Sequence, residues 1–309
     1  MAQPGKRDAA TPTILVVGVA MTAMVIWGAT PVATKLGVAE IDPLVIGMLR
    51  TLLAAAITLP LALAWRVARP SGRAEFLLLG ASSLGGFVVF PLLFSIGLGV
   101  TSAAHGALVL ASLPVFTGLF TALAEQRRVP LRWWLGCAIA MAGEVLLIGF
   151  RFGFEDSGAS VAGDLMVLAS CAGASLGYVA GGRLARRIGA WPTTLWGISA
   201  GGLVLAPVLP FAVSAMAWES VGAVGFLAVG YLVLFSSILA YVAWYWALAR
   251  GDMARIGALQ FTQPMVGIAL ATVVLSEPIT PPLALAGGGI LLGVWIIQRQ
   301  PAKLAAADS

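Results

Sequence analysis

Ten apolar runs, each about 20 residues long, constrain this chain more than any other feature. They lie near 13–34, 43–65, 74–97, 102–125, 131–150, 161–182, 192–213, 220–247, 255–275 and 281–298. A helix of that length crosses ~30 Å of hydrocarbon. Only 10% of the 309 residues are charged and the mean hydropathy is +0.98, whereas a soluble domain carries about 25% charge. The solvent for such a surface is lipid. No polar stretch is long enough for a separate soluble domain.

Several function classes fall away at once. The net charge of +5 is spread over short loops rather than clustered with aromatics, so no nucleic acid is implied. Cys137 and Cys171 both sit inside apolar runs, which indicates no disulfide framework, and a single histidine excludes a His-based metal cluster. No metal or organic cofactor is called for. The polar start "MAQPGKRDAATP" precedes an apolar run too long for the core of a cleaved signal peptide and right for a first span.

The loop charges set an orientation. Fifteen of the 18 basic residues fall in one set of alternating loops and termini, among them Arg69, Arg127, Arg186, Arg250 and Arg299. The other set holds only Lys35 and Arg151, and Arg50 lies inside a span. Basic loops stay in the cytoplasm, so both termini are expected inside. Trp65, Trp133, Trp134 and Trp191 then mark cytoplasmic span ends and Trp218 an outer end, as an aromatic belt requires.

A self-comparison reveals two related halves. A shift of 150 lays Pro114 on Pro264; a shift of 152 lays Glu125 on Glu277 and Pro130 on Pro282; a shift of 149 lays Pro43 on Pro192 and Gly28 on Gly177. The expected organisation is a cytoplasmic tail (1–12), a first five-helix repeat (13–150), a periplasmic linker (151–160), a second repeat (161–298) and a cytoplasmic tail (299–309). Five spans per half is an odd number, so the halves enter the membrane from opposite sides. Such inverted repeats recur in secondary transporters, with the substrate near the midplane. Pro114 and Pro264 fall in the fourth and ninth spans and are hinge candidates. Each should free the carbonyl four residues earlier, at Leu110 and Gln260. Packing kinks are the alternative role.

The residues also carry a family likeness. "IWGATPVATKLG" (26–37), "PLVIGMLRTLL" (43–53), "LASLPVFTGLFTALAE" (110–125), "GDLMVLAS" (163–170) and "AYVAWYWALARGD" (240–252) resemble the ten-span EamA-domain members of the drug/metabolite transporter superfamily. The likeness covers essentially the whole chain. Overall similarity, without a diagnostic motif, is greatest to the YddG-type exporters of aromatic amino acids. The resemblance implies an all-α basket of ten helices around a central cavity. It also implies export of amino acids or related metabolites across a bacterial inner membrane.

Charges inside a membrane are expensive and usually functional, so Arg50 and Glu144 come first. They share a depth of ~10–12 Å from the outer boundary. They form either a substrate or proton site, or a structural ion pair between the second and fifth spans, or are each capped by backbone. The resemblance makes an arginine in the second span a common feature, which favours the structural role. Ser175 in "GASLG" fits the serine-hydrolase pattern G-x-S-x-G, but that motif needs a strand-to-helix elbow and a histidine base. Here Gly173, Gly177 and Gly181 form a small-residue stripe that lets helices approach closely. No catalytic constellation is present.

Cavity candidates are His105 with Ser112 in the fourth span, Gln260 and Gln263 in the ninth, and Ser237, Tyr241 and Trp244 in the eighth. Tyr245 shares that last face. Trp27, Phe90 and Tyr178 join on aromatic character, with packing as the competing role. Sugar phosphates would call for several deep basic residues, and a cation antiporter of the small multidrug type for a first-span glutamate; neither is there. What remains suits small amphipathic metabolites moved by a monomer in the lipid bilayer, with proton-coupled export of hydrophobic cations as the rival.

Overall fold

The computed structural model describes residues 13–126, 131, 134–136, 138–139, 142, 160–214, 216–251 and 256–298. The fifth apolar run falls mostly outside them, as do Glu144 and both tails. The longer helices are α1 (Thr13–Val38), α2 (Pro43–Ala64), α3 (Gly72–Val100), α4 (Ala103–Ala124), α5 (Val161–Ile188), α6 (Ala190–Leu205), α7 (Ala223–Arg250), α8 (Thr262–Leu275) and α9 (Pro281–Gln298), with a short helix over Leu209–Ser214. Six of these, α1–α5 and α7, are long and apolar enough to cross a membrane. No strand occurs among the described residues.

The interior is mostly apolar, and so is the exterior. Phe76, Leu77, Leu203, Phe211, Phe226, Leu227 and Val273 face outward, while Arg50, Asp164, Gln260 and a series of Ser and Thr hydroxyls are buried. Apolar side chains lose nothing by facing lipid, whereas polar groups must find partners within the protein.

Local chemistry sets the helix ends. Asp42 Oδ1 accepts the amides of Leu44 and Val45 at 2.9 and 3.2 Å, and Pro43 fills the first position, where its missing N–H costs nothing. Ser160 caps α5 through the Gly163 amide at 3.0 Å. Gly189 joins α5 to α6 at φ +94°, a backbone that only glycine adopts freely.

Side chains join neighbouring helices at both ends of the bundle. At one end Arg187 approaches Glu75 at 4.0 Å, Arg186 donates to the carbonyls of Leu248 and Gly251, and Trp65 packs on Trp191. At the other, Lys35 Nζ caps the end of α3 through the carbonyls of Leu98 and Thr101 at 2.9 and 2.7 Å. Glu40 there receives the amides of Gly222 and Gly225 at the start of α7. Glu277 receives those of Ala103 and Ala104 at the start of α4, at 2.9 and 2.7 Å. Carboxylates at helix N-termini and an ammonium at a C-terminus complement the helix dipoles.

Candidate functional site

Four aromatic side chains meet in the protein interior. Trp27 of α1 stacks on Tyr178 of α5 at 5.2 Å between centroids and meets Tyr241 and Trp244 of α7 edge-on at 5.0 and 5.8 Å. Tyr178 closes the cluster on Tyr241 and Trp244. All four are at most 3% exposed. These four sequence candidates, on three separate helices, therefore form one group.

Arg50 adjoins it from α2. Its Nη2 donates to Ser236 Oγ at 3.0 Å and its Nε to Ser237 Oγ at 3.3 Å, while the guanidinium lies 5.6 Å from the centre of the Phe90 ring. Ser236 is the hub: its hydroxyl also meets Thr30 Oγ1 at 3.0 Å, and its carbonyl accepts the Trp27 indole N–H at 2.9 Å. The expected ion pair partner, Glu144, lies outside the described residues. The partners that the structure does show for Arg50 are hydroxyls and a ring face, not a carboxylate. Its third nitrogen, Nη1, is buried and donates to nothing among the described residues.

Departures from α-helix geometry make this arrangement. Leu84–Val89 in α3 and Leu232–Leu239 in α7 are π-helical, starting 148 residues apart. The wider turn reduces the angle between successive side chains, so adjacent Ser236 and Ser237 both reach Arg50. In α3, Pro91 has no N–H for the Phe87 carbonyl four residues back, and Thr51 Oγ1 donates to it instead at 2.7 Å.

The prolines of α4 and α8 work differently from the sequence expectation. A 3₁₀ turn over Leu110–Ser112 interrupts α4, and the α-helix restarts at Leu113 with Pro114 in its first turn. The turn over Ala258–Phe261 precedes Pro264 in the same way. The carbonyls expected to be free are taken: Leu110 accepts the Leu113 amide, and Gln260 that of Thr262. First-turn amides have no intrahelical acceptor in any case, so proline is tolerated there. Ser175, the centre of "GASLG", donates to the Leu113 carbonyl at 3.0 Å, so it ties α5 to the break in α4.

The remaining candidates separate. His105 Nδ1 lies 3.5 Å from Asp164 Oδ2, and Thr101 donates to Asp164 Oδ1 at 2.6 Å, at the end opposite Arg186. Ser112 donates to its own turn, to the Val109 carbonyl at 2.8 Å. Tyr245 meets Ser82 and the Gly177 carbonyl, a helix-packing role. Gln260 and Gln263 are buried, and among the described residues neither Oε1 nor Nε2 of Gln260 nor Oε1 of Gln263 has a partner. Sequence reasoning missed Thr30, Ser236 and Asp164. The Ser-Ser pair beside Ser237 and an acid in the first turn of an apolar run were the signals available.

The EamA-like transporter family matches residues 14–149 and again 161–299, and the chain belongs to that family. It is a multi-pass membrane transporter. The transporter YdeK of Bacillus subtilis is 33% identical over 247 residues, covering 80% of this chain and 84% of that one. The inner membrane transporter YedA of Escherichia coli is 29% identical over 289 residues, covering 88% and 87%. A Salmonella typhimurium protein named a probable amino-acid metabolite efflux pump is 27% identical over 292 residues, covering 90% and 92%. A crystal structure at 23% identity superposes with a TM-score of 0.66 over 93% of this chain and 97% of that one, a likeness of fold.

Proposed function

We propose that the chain is a bacterial inner-membrane exporter of small amphipathic metabolites, most of all amino acids with aromatic side chains, as in the YddG-type exporters. Two inverted five-helix halves, 13–150 and 161–298, alternate access to a site between them, with both termini cytoplasmic and the monomer as the working unit. The observation that carries this reading is the four-ring cluster of Trp27, Tyr178, Tyr241 and Trp244, assembled from helices of both halves. Aromatic walls bind flat apolar side chains by offset and edge contacts. The relative named a probable amino-acid metabolite efflux pump agrees with that chemistry.

Counterflow in proteoliposomes tests it. Vesicles preloaded with tryptophan or phenylalanine should accumulate the same labelled amino acid, and vesicles loaded with aspartate or lysine should accumulate theirs far less. Equal counterflow for all of them, or none for any, would sink the reading.

A second reading has its own observation. The buried His105–Asp164 contact joins an imidazole to a carboxylate between α4 and α5, a pairing suited to proton coupling in an exporter of hydrophobic cations. Zero-trans efflux with clamped pH gradients separates the two: flux that follows the gradient, and loses that dependence in His105→Gln, favours the antiporter.

A further inference from the structure

Arg50 is 1% exposed and permanently charged. A guanidinium presents five N–H donors, and the two hydroxyls of Ser236 and Ser237 are weak compensation for a cation in that setting. Nη1 makes no hydrogen bond, and no carboxylate stands within ion-pair distance of Arg50 among the described residues. A buried charge without a counter-ion is strongly unfavourable unless something completes it.

A second orphan donor belongs to the same cluster. Trp244 Nε1 is buried without an acceptor among the described residues, and its ring contacts Trp27. Trp27 is in turn hydrogen bonded to Ser236, which holds Arg50. Both donors lack an oxygen acceptor.

We propose that Arg50 is the anchor for the substrate's carboxylate, received at Nη1, with the substrate's apolar body among the rings of Trp27, Tyr178, Tyr241 and Trp244. The reading rests on the exporter function above and adds the recognised group. The four rings touch one another in this structure, so a ligand enters by parting them. The π-helical stretch of α7 supports the anchor: it turns both serines toward Arg50 and occupies Nε and Nη2, leaving Nη1 to the ligand. One free guanidinium nitrogen suits a carboxylate better than a phosphate ester, which is usually met by several cations.

The test uses the full-length protein, purified in detergent, with binding read by thermal shift and by titration of tryptophan fluorescence. The probes are L-tryptophan and indole-3-acetate against their amides, L-tryptophanamide and indole-3-acetamide. The acids should bind at least about tenfold more tightly than the amides, the effect of one charge-assisted hydrogen bond. Arg50→Lys should keep part of that preference and Arg50→Gln should lose it.

Every result decides something. Equal affinity for acids and amides in the unaltered protein overturns the anchor, and this holds even if the Arg50 variants fail to fold. Binding of none of the four probes overturns it too, as does an intact preference in well-folded Arg50→Gln. Tight binding of indole-3-acetate without binding of tryptophan keeps the anchor and removes the amino-acid reading.

Discussion

The π-helical stretches of α3 and α7 share a backbone and differ in what it is used for. In both, the helix resumes through a five-residue hydrogen bond, Phe90 to the Gly85 carbonyl and Ala240 to the Phe235 carbonyl, 150 residues apart. In both, a main-chain carbonyl at the bulge is satisfied from another helix: Phe87 by Thr51, and Ser236 by Trp27. The side chains then diverge. The α3 stretch carries Gly85 and Gly86, which lie against Gly173 and Gly177 of α5 at backbone contact. The α7 stretch carries Ser236 and Ser237, which hold Arg50. One device joins helices closely and its counterpart positions a buried charge. Repeated backbone geometry does not imply a repeated role.

The largest expected effect breaks the α3 side. A Cβ at Gly177 would lie 2.6 Å from the Gly86 amide nitrogen and 2.9 Å from its Cα, and backbone cannot give way as a side chain tip can. Gly177→Val should destabilise by about 3 kcal/mol and remove the monodisperse peak in size-exclusion chromatography. Gly230→Ala, just before the α7 stretch with nothing within 4 Å, should be neutral by the same assay. Equal yields of the two would refute close packing as the role of the glycines.

The α7 side should respond next. Ser236→Ala leaves both Arg50 Nη2 and Thr30 without their shared hydroxyl, at about 1–3 kcal/mol for unsatisfied buried donors. Ser237→Ala removes one longer bond and should lower the melting temperature less. The opposite ranking would mean that Ser236 is not the hub.

A smaller loss is expected at the end that carries Glu277. Glu277→Gln keeps one of the two acceptor oxygens that receive Ala103 and Ala104 and removes the charge at the N-terminus of α4, a charge worth about 0.3–1 kcal/mol. A melting temperature insensitive to both Glu277→Gln and Glu277→Ala would show that this cap contributes nothing.

Pro114→Ala and Pro264→Ala should change stability least, within about 1 kcal/mol, because both prolines sit in a first helical turn. Their effect belongs to facing. A reporter cysteine near Trp27 should become more accessible from one side in one variant and from the opposite side in the other. Unchanged accessibility in both would make the prolines packing features.

Some of this was legible in the residues. Apolar runs predicted the helices because burial in lipid depends on local composition, and α2 and α9 match their runs within a residue. The glycine stripe predicted close approach because a missing side chain acts wherever its helix lands. Pro114 and Pro264 marked real breaks, but the remedy did not follow, since a 3₁₀ turn satisfies the carbonyls as well as a hinge or cavity would. The aromatic candidates were named one by one, without evidence that they meet.

The sequence by itself determined that the chain crosses lipid, that its helix ends alternate in charge, and that Arg50 lies deep and must be compensated. Each follows from composition along one helix. Only the tertiary structure decided with what: Ser236 stands 186 residues from Arg50, and Asp164 and His105 lie 59 residues apart yet 3.5 Å from each other. The membrane makes a partner obligatory without naming it, because hydroxyls and rings are spread over several helices. The choice among them is made by how the helices pack, and a π-turn that aims two adjacent serines at one guanidinium leaves no periodic signal in the sequence.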